Sequence, residues 1–447
     1  MPHAGIRRIL LVAAVFALLL APRAMSQSAS GSSVIAITGG MLVDGNGGPP
    51  VHDAVVVIRD ERIAAAGPRG TVAIPNGAKI INAGGMTVMP GLWDLHVHLM
   101  IMGHGKYDEY FPRYRTRMRE IIPVSAKELL MHGVTSARDM GAPLEEIIEV
   151  RDRINRGEVP GPRLFVSGPF LQKSFAESDS YFRWAVKGAD DARGKTRRLI
   201  DAKVDFIKVI QGAELSEEEF GAIVEEAHKA RLTVATHGKE EDEIRKVVRL
   251  GADTIEHTGY TAGALPYSQD ILRLLIDRQT WVVPTCTVHW LSGVLRDFPE
   301  RRLDQEVAAD YPADVVKDMQ ESLANVSGLR YWQRSPGYID GAPQRWRQMI
   351  QARLRIAVGT DSGTPANFHI DSTWREVQIL VQHGMTPLEA IRAATKYPAM
   401  VLRKGNDLGT IEPGKLADII LVKGSVIEDV GNLKNVTTVI KGGKIVR

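Results

Sequence analysis

The chain has 447 residues, of which 44% are hydrophobic and 24% charged, with a formal charge of +3. That length exceeds one ordinary domain and the composition is that of a folded globular protein, so a large domain with a second module is expected. Arg7, Arg8 and Arg23 lie in a segment expected to be removed, and the near-neutral remainder lacks the basic face that phosphate-backbone binding demands, which excludes nucleic acid as a partner.

The first 26 residues read as a signal peptide. Arg7 and Arg8 precede an apolar run from Ile9 to Ala21 that is too short to span a bilayer, and Ala24-Met25-Ser26 offers small residues where a signal peptidase cuts. Cleavage between Ser26 and Gln27 predicts an exported protein, periplasmic or secreted, with no stable membrane anchor. Cys286 is the single cysteine, so no intramolecular disulfide can form.

Residues 33–90 are short alternating segments broken by glycine and proline. Strands are expected at 34–37, 54–58, 62–66 and 79–81. The same texture returns in 417–422, 436–440 and 444–446, so a small β-sandwich built from 33–90 plus 405–447 is expected. Between the two ends, strand and helix patterns alternate as parallel βαβ units do, predicting an α/β fold with a (β/α)8 TIM barrel over 91–404. Its strands are read at 95–98, 134–137, 163–166, 206–209, 232–237, 254–257, 281–285 and 355–361. A helix from Ser216 to Ala230 opens on a capping box made by Ser216 and Glu219. Residues 288–349 form an insertion far longer than a strand-to-helix loop needs.

His96, His98, Lys208, His237, His257 and Asp361 each close one of these strands. Strand C-terminal ends form the mouth of such a barrel, so residues scattered in sequence converge there. His96 and His98 are two apart on a strand and face the same side, where both imidazoles can hold one ion. His237 and His257 are placed to hold a second. Lys208 sits among apolar residues where a free ammonium is costly, and reaction with carbon dioxide would turn it into a carbamate able to bridge two metals. Two ions roughly 3.5–4 Å apart would polarise a scissile carbonyl and lower the pKa of a water toward neutrality, with Asp361 accepting its proton.

Pro90-Gly91-Leu92-Trp93-Asp94-Leu95-His96-Val97-His98, Ile255-Glu256-His257, Gly359-Thr360-Asp361-Ser362-Gly363 and the tail Gly409 to Asp418 together resemble the amidohydrolase superfamily over essentially the whole mature length. Lys208 and Thr386-Pro387-Leu388-Glu389-Ala390 resemble the branch of imidazolonepropionase relatives, metal-dependent prolidases and ochratoxinase. The resemblance implies His96, His98 and Asp361 on one divalent metal, His237 and His257 on a second, and carboxylated Lys208 between them, the metal being zinc. Prolidase-like members carry a glycine-glycine-histidine element after the third strand, whereas this chain has Ser167 to Ser174 without histidine.

Around that constellation, Tyr260 is placed to donate to an oxyanion or a substrate carboxylate, or to pack under a loop. Arg138 and Asp139 are expected to pair with each other rather than read a carboxylate. His104, His289 and His369 read as loop or supporting histidines, His369 as one able to orient Asp361. Tyr107, Tyr110, Phe111 and Tyr114, with Trp290, Tyr331, Trp332 and Trp346, could line a lid, form a satellite core, or serve a homo-oligomer interface.

The expected activity is hydrolysis of an amide bond in a dipeptide or N-acyl amino acid, a small-molecule substrate. The same two-metal site could act on a lactam, ester or phosphotriester. A non-catalytic exported metal-binding relative is the reading of another class, against which Lys208 and Asp361 argue together.

Overall fold

The structure is a computed structural model that describes residues 33–238, 240–257, 266–288, 310–325, 328–329 and 336–447, the side chains of 336–340 excepted. The signal-peptide segment, Tyr260, His289, Trp290, Tyr331 and Trp332 lie outside the described residues. Among the described residues, no helix is long and apolar enough to cross a membrane.

Both ends of the chain meet in one mixed sheet. It takes β1 (Val34–Leu42), β2 (Val51–Arg59), β3 (Arg62–Pro68), β4 (Lys79–Asn82) and β5 (Met86–Pro90) from the first 60 or so described positions. The last strands of the chain in this sheet are Ile419–Lys423, Val436–Lys441 and Lys444–Ile445. The join is the antiparallel pairing of Ile419–Lys423 with β5, from Ile419 opposite Pro90 to Lys423 opposite Met86. One face buries Ile35, Ile37, Val56, Ile58, Val88, Ile419, Leu421 and Ile440 in a single apolar cluster, so residues from the two ends stabilise each other. Asp418 completes the connection beyond the sheet: Arg163 donates to it through Nε at 2.8 Å and Nη2 at 3.2 Å.

The middle of the chain alternates strands and helices in an α/β arrangement. Its strands are β6 (Leu92–Val97), β7 (Val134–Asp139), β8 (Arg163–Val166), β9 (Phe170–Gln172), β10 (Arg183–Ala185), β11 (Phe206–Val209), β12 (Thr233–His237), β13 (Thr254–Glu256), β14 (Trp281–Val283) and β15 (Arg355–Ile356). All pair parallel, in the runs β6-β7-β8 and β10-β9-β11-β12-β13-β14-β15. Asp205 N–H donates to Val166 O at 2.8 Å, linking β8 to the entry of β11. On the other side, Leu95 N–H donates to Val358 O at 2.9 Å and Asp361 N–H to His96 O at 2.7 Å, which brings the chain after β15 back against β6.

The expected strands are recovered with shifts at their ends, and two short ones, β9 and β10, had no counterpart in the sequence reading. The last expected strand, 355–361, is regular only over Arg355–Ile356, because its later N–H groups bond to Val282 O, Ala393 O and His96 O instead of one ladder. The helix expected from Ser216 spans Glu217–Lys229 with its capping box formed: Glu219 N–H donates to Ser216 Oγ at 3.1 Å and Ser216 N–H to Glu219 Oε2 at 2.8 Å.

Within 288–349 the described part holds helices at Ala313–Ser322 and Pro336–Gln351. The first lies on the segment following β6. Asp314 pairs with Arg117, and Asp318 accepts from Tyr114 Oη at 2.8 Å and approaches His104 Nε2 at 3.1 Å. Tyr110 and Tyr114 are buried, and Phe111 packs on Phe182 with ring centroids 4.7 Å apart, so these aromatic residues join the main hydrophobic core and form no separate satellite cluster among the described residues.

Candidate metal centre

β6 carries Asp94 and His96, with His98 immediately beyond its end. The two imidazoles meet Asp361 from the segment after β15: Nε2 of His96 lies 3.5 Å and Nε2 of His98 3.1 Å from Asp361 Oδ1. Ligand atoms of these three residues lie within 4.8 Å of one another, a group able to hold a metal ion. His257 joins from the end of β13, its ring centroid 4.3 Å from that of His96 and its Nδ1 4.0 Å from Asp361 Oδ2. His237, at the end of β12, stacks edge-on against His257 at 4.6 Å. Five of the six expected ligand residues are thus linked by direct ring or side-chain contacts.

Lys208 is the sixth. It is fully buried on β11, and among the described residues its Nζ has no hydrogen-bond partner. Burial pushes it down to about 7, with Glu256 opposing that shift and Arg138 reinforcing it. An unsolvated, unpaired ammonium is unfavourable by several kcal/mol, so the neutral amine is the form this environment accepts. That is the form that reacts with carbon dioxide.

The surrounding side chains fix how each candidate ligand presents itself. His96 Nδ1 is 2.8 Å from Glu256 Oε2, and a carboxylate only accepts, so the ring proton is assigned to Nδ1. Nε2 is then left as a buried lone pair with no hydrogen bond among the described residues, 3.5 Å from Asp361 Oδ1. Burial, with Lys208, His98 and Arg138 nearby, holds His96 well below the ordinary histidine value, so it is neutral as ligation requires. Glu256 is itself paired with Arg138, whose Nη2 donates to it at 2.6 Å while its Nε donates to Leu95 O at 2.6 Å. Both charged side chains are fully buried. Asp94 ties the two sides together, accepting from His96 N–H at 3.0 Å, Thr360 Oγ1 at 2.7 Å, Thr360 N–H at 3.1 Å and Thr373 Oγ1 at 2.8 Å. Its burial pushes it up to about 6, a shift those hydrogen bonds partly offset.

The backbone is strained at the same place. His257 (φ +59°), Thr285 (φ +50°) and Asp361 (φ +58°) all adopt the left-handed region. Such residues cost about 1–3 kcal/mol each and persist where surrounding contacts determine them. Here Asn367 Nδ2 and Thr364 Oγ1 donate to Asp361 O at 3.0 and 2.8 Å, and His257 Nδ1 lies 2.9 Å from Thr285 Oγ1.

Two expectations are corrected. Arg138 pairs with Glu256, not Asp139, because neighbours on β7 point to opposite faces; Asp139 instead accepts from Leu99 N–H at 2.8 Å and Gly141 N–H at 3.1 Å. His369 does not touch the Asp361 carboxylate: its Nδ1 is 2.8 Å from Ser362 Oγ and its Nε2 3.2 Å from Ile101 O. His104 serves the Asp318 contact. The residues that sequence reasoning overlooked are Asp94 and Glu256. Each lies within two positions of a strand-end histidine, which is the signal that could have found them.

The family profile described as "Amidohydrolase family" matches residues 87–446. The chain is 26% identical to ochratoxinase from Aspergillus niger, with 93% of this chain and 87% of that protein covered. Among solved structures, a putative prolidase from Bifidobacterium longum is 26% identical with a TM-score of 0.72, covering 93% of this chain and 94% of that one. Phenylurea hydrolase B is 25% identical with a TM-score of 0.74, covering 93% and 97%.

Proposed function

The chain belongs to the amidohydrolase family and is a hydrolase of C–N bonds, and from that premise we propose that it is an exported, binuclear metal-dependent enzyme cleaving the amide bond of a dipeptide or N-acyl amino acid. The observation that carries this reading is the meeting of His96, His98, His257 and Asp361 near a buried lysine whose Nζ has no hydrogen-bond partner among the described residues. The strand pairings from β6 round to the segment after β15 support a closed (β/α)8 barrel, with 33–90 and 405–447 as a second, β domain. The apolar run after Arg7 and Arg8 supports export, and N-terminal sequencing of the exported protein tests it, Gln27 being the expected first residue.

His96, His98 and Asp361 would hold one divalent ion and His237 and His257 the other, with Lys208 as a carbamate between them. When bound, such ions supply Lewis-acid polarisation of the carbonyl and a water of lowered pKa. The side chains do the rest. Glu256 fixes the His96 ring so that Nε2 faces inward, and Arg138 pairs with Glu256 in a buried setting. Asp94 holds the Thr360 backbone and so the approach of Asp361 to the histidines. Asp361 takes the proton of the attacking water and returns it to the leaving amine.

The names of two similar proteins, ochratoxinase and a putative prolidase, support the choice of an amide whose amine half is an amino acid. The test is mass-spectrometric product analysis of zinc-reconstituted protein against mixed dipeptides and N-acyl amino acids, with Asp361→Asn as control. Release of an amino acid, absent from the control, is the expected result. No cleavage by a two-metal protein would redirect the assignment to lactams, esters or phosphotriesters.

A further inference from the structure

β9 and β10, the two strands absent from the sequence reading, carry a cation, Arg183, on the same Phe170 ring that meets His98 of the candidate metal centre. In their parallel pairing Arg183 stands opposite Phe170 and Ala185 opposite Gln172, while β9 meets β11 through Leu171 and Val209. Paired residues share a face and neighbours alternate, so Phe170, Gln172 and Arg183 face the same side as Lys208. The Phe170 ring confirms the direction, its centroid being 5.9 Å from that of His98.

The Arg183 guanidinium lies over two rings, 5.2 Å from the centroid of Phe170 and 4.8 Å from that of Phe182. Its Nη1 donates to Gln172 Oε1 at 2.9 Å, and Gln172 is itself anchored by donating to Ser174 O. Asp179 Oδ2 stands 3.3 Å from Nε and balances part of the charge, yet among the described residues the buried Nε makes no aligned hydrogen bond and Nη2 donates to none. A guanidinium held by two rings, one neutral acceptor and the Asp179 ion pair, with its Nη2 donor to spare, can still take a carboxylate oxygen. The bland account is that Arg183 only closes the stack of Phe170 and Phe182. The Nη2 donor, which meets no described residue, and the poorly aligned Nε contact to Asp179 argue against it, since a purely packing position is filled better by an apolar side chain.

We propose that Arg183, positioned by Gln172 and seated on Phe170, binds the free carboxylate of the substrate's amino-acid half, making the enzyme selective for amides whose leaving amine carries a carboxylate. This rests on the reading of the site as an amide hydrolase and adds what the site recognises.

The probes are N-acetyl-L-phenylalanine and its carboxamide, which differ only in that charge, assayed with zinc-reconstituted wild type, Arg183→Met and Arg183→Lys. The wild type should prefer the acid by about 100-fold in kcat/KM, the worth of a charge-assisted hydrogen-bonded pair. In Arg183→Met the acid-over-amide ratio should collapse toward one through a raised KM for the acid. Arg183→Lys, which keeps the charge without the fork, should retain part of the ratio. An unchanged ratio in Arg183→Met overturns the proposal, including the case where both substrates slow in proportion, as a structural role predicts. A wild type that cleaves both equally also overturns it while leaving the amide hydrolase reading intact. If the wild type cleaves neither, that reading fails, and calorimetry with L-phenylalanine decides the site alone: heat lost in Arg183→Met supports it, equal heat in both proteins overturns it.

Discussion

Arg138→Met is the substitution whose consequence follows most directly from the contacts. Arg138 and Glu256 are both fully buried and 2.6 Å apart, and Glu256 also holds Nδ1 of His96 at 2.8 Å. Methionine keeps much of the volume but leaves the Glu256 carboxylate without its cation, and it removes the donor to Leu95 O. Breaking a buried ion pair by deleting one partner costs about 3–5 kcal/mol, most of it the uncompensated charge. Pairing the substitution with Glu256→Gln removes that charge, so the double variant should be less destabilised than the sum of the singles by at least about 2 kcal/mol. Urea denaturation of the metal-free proteins, followed by tryptophan fluorescence, measures all three. A loss below about 1 kcal/mol in Arg138→Met, or additive singles, would refute the argument that this pair is the buried support of His96.

Three further outcomes are expected. Asp361→Asn should abolish turnover yet retain part of the metal, because it removes the proton acceptor and only one of the ligands of one ion; metal analysis beside the activity assay checks this. Lys208 is held at about 7, so its reactive amine dominates above that pH and its ammonium below. Reconstitution in ¹³C-bicarbonate should accordingly give a carbamate carbon signal by NMR at pH 8, a weaker one at pH 6 and none in Lys208→Ala; equal signals at the two pH values would count against it. Gly359→Ala places a methyl carbon 2.4 Å from Val283 Cγ1 and 2.9 Å from both the backbone nitrogen and Cβ of His96. Overpacking of that kind costs about 1–3 kcal/mol, and here it should also weaken zinc affinity, as competition with a chelator would show.

The meeting of His96, His98, His237, His257 and Asp361 was legible because each closes a short apolar run in the sequence, and a parallel α/β arrangement carries such ends to one side. The capping box at Ser216 was legible for the same local reason: two side chains three residues apart satisfy each other's backbone donors. What the sequence did not disclose was pairing across distance. Glu256 reads as a neighbour of His257, and only the fold brings it to His96 and Arg138, which lie 160 and 118 positions away. Arg138 beside Asp139 suggested a local pair, and strand alternation separates them. β9 and β10 are three residues each, flanked by glycine, proline and charged residues, and they exist because β11 offers β9 a parallel edge.

The measurement that bears most directly on a two-metal centre built from these residues is metal content by mass spectrometry after reconstitution with zinc. The account predicts two equivalents per chain in the wild type and about one in His237→Ala/His257→Ala, with His96, His98 and Asp361 retaining theirs. A single equivalent in the wild type, or two in the double variant, would contradict it.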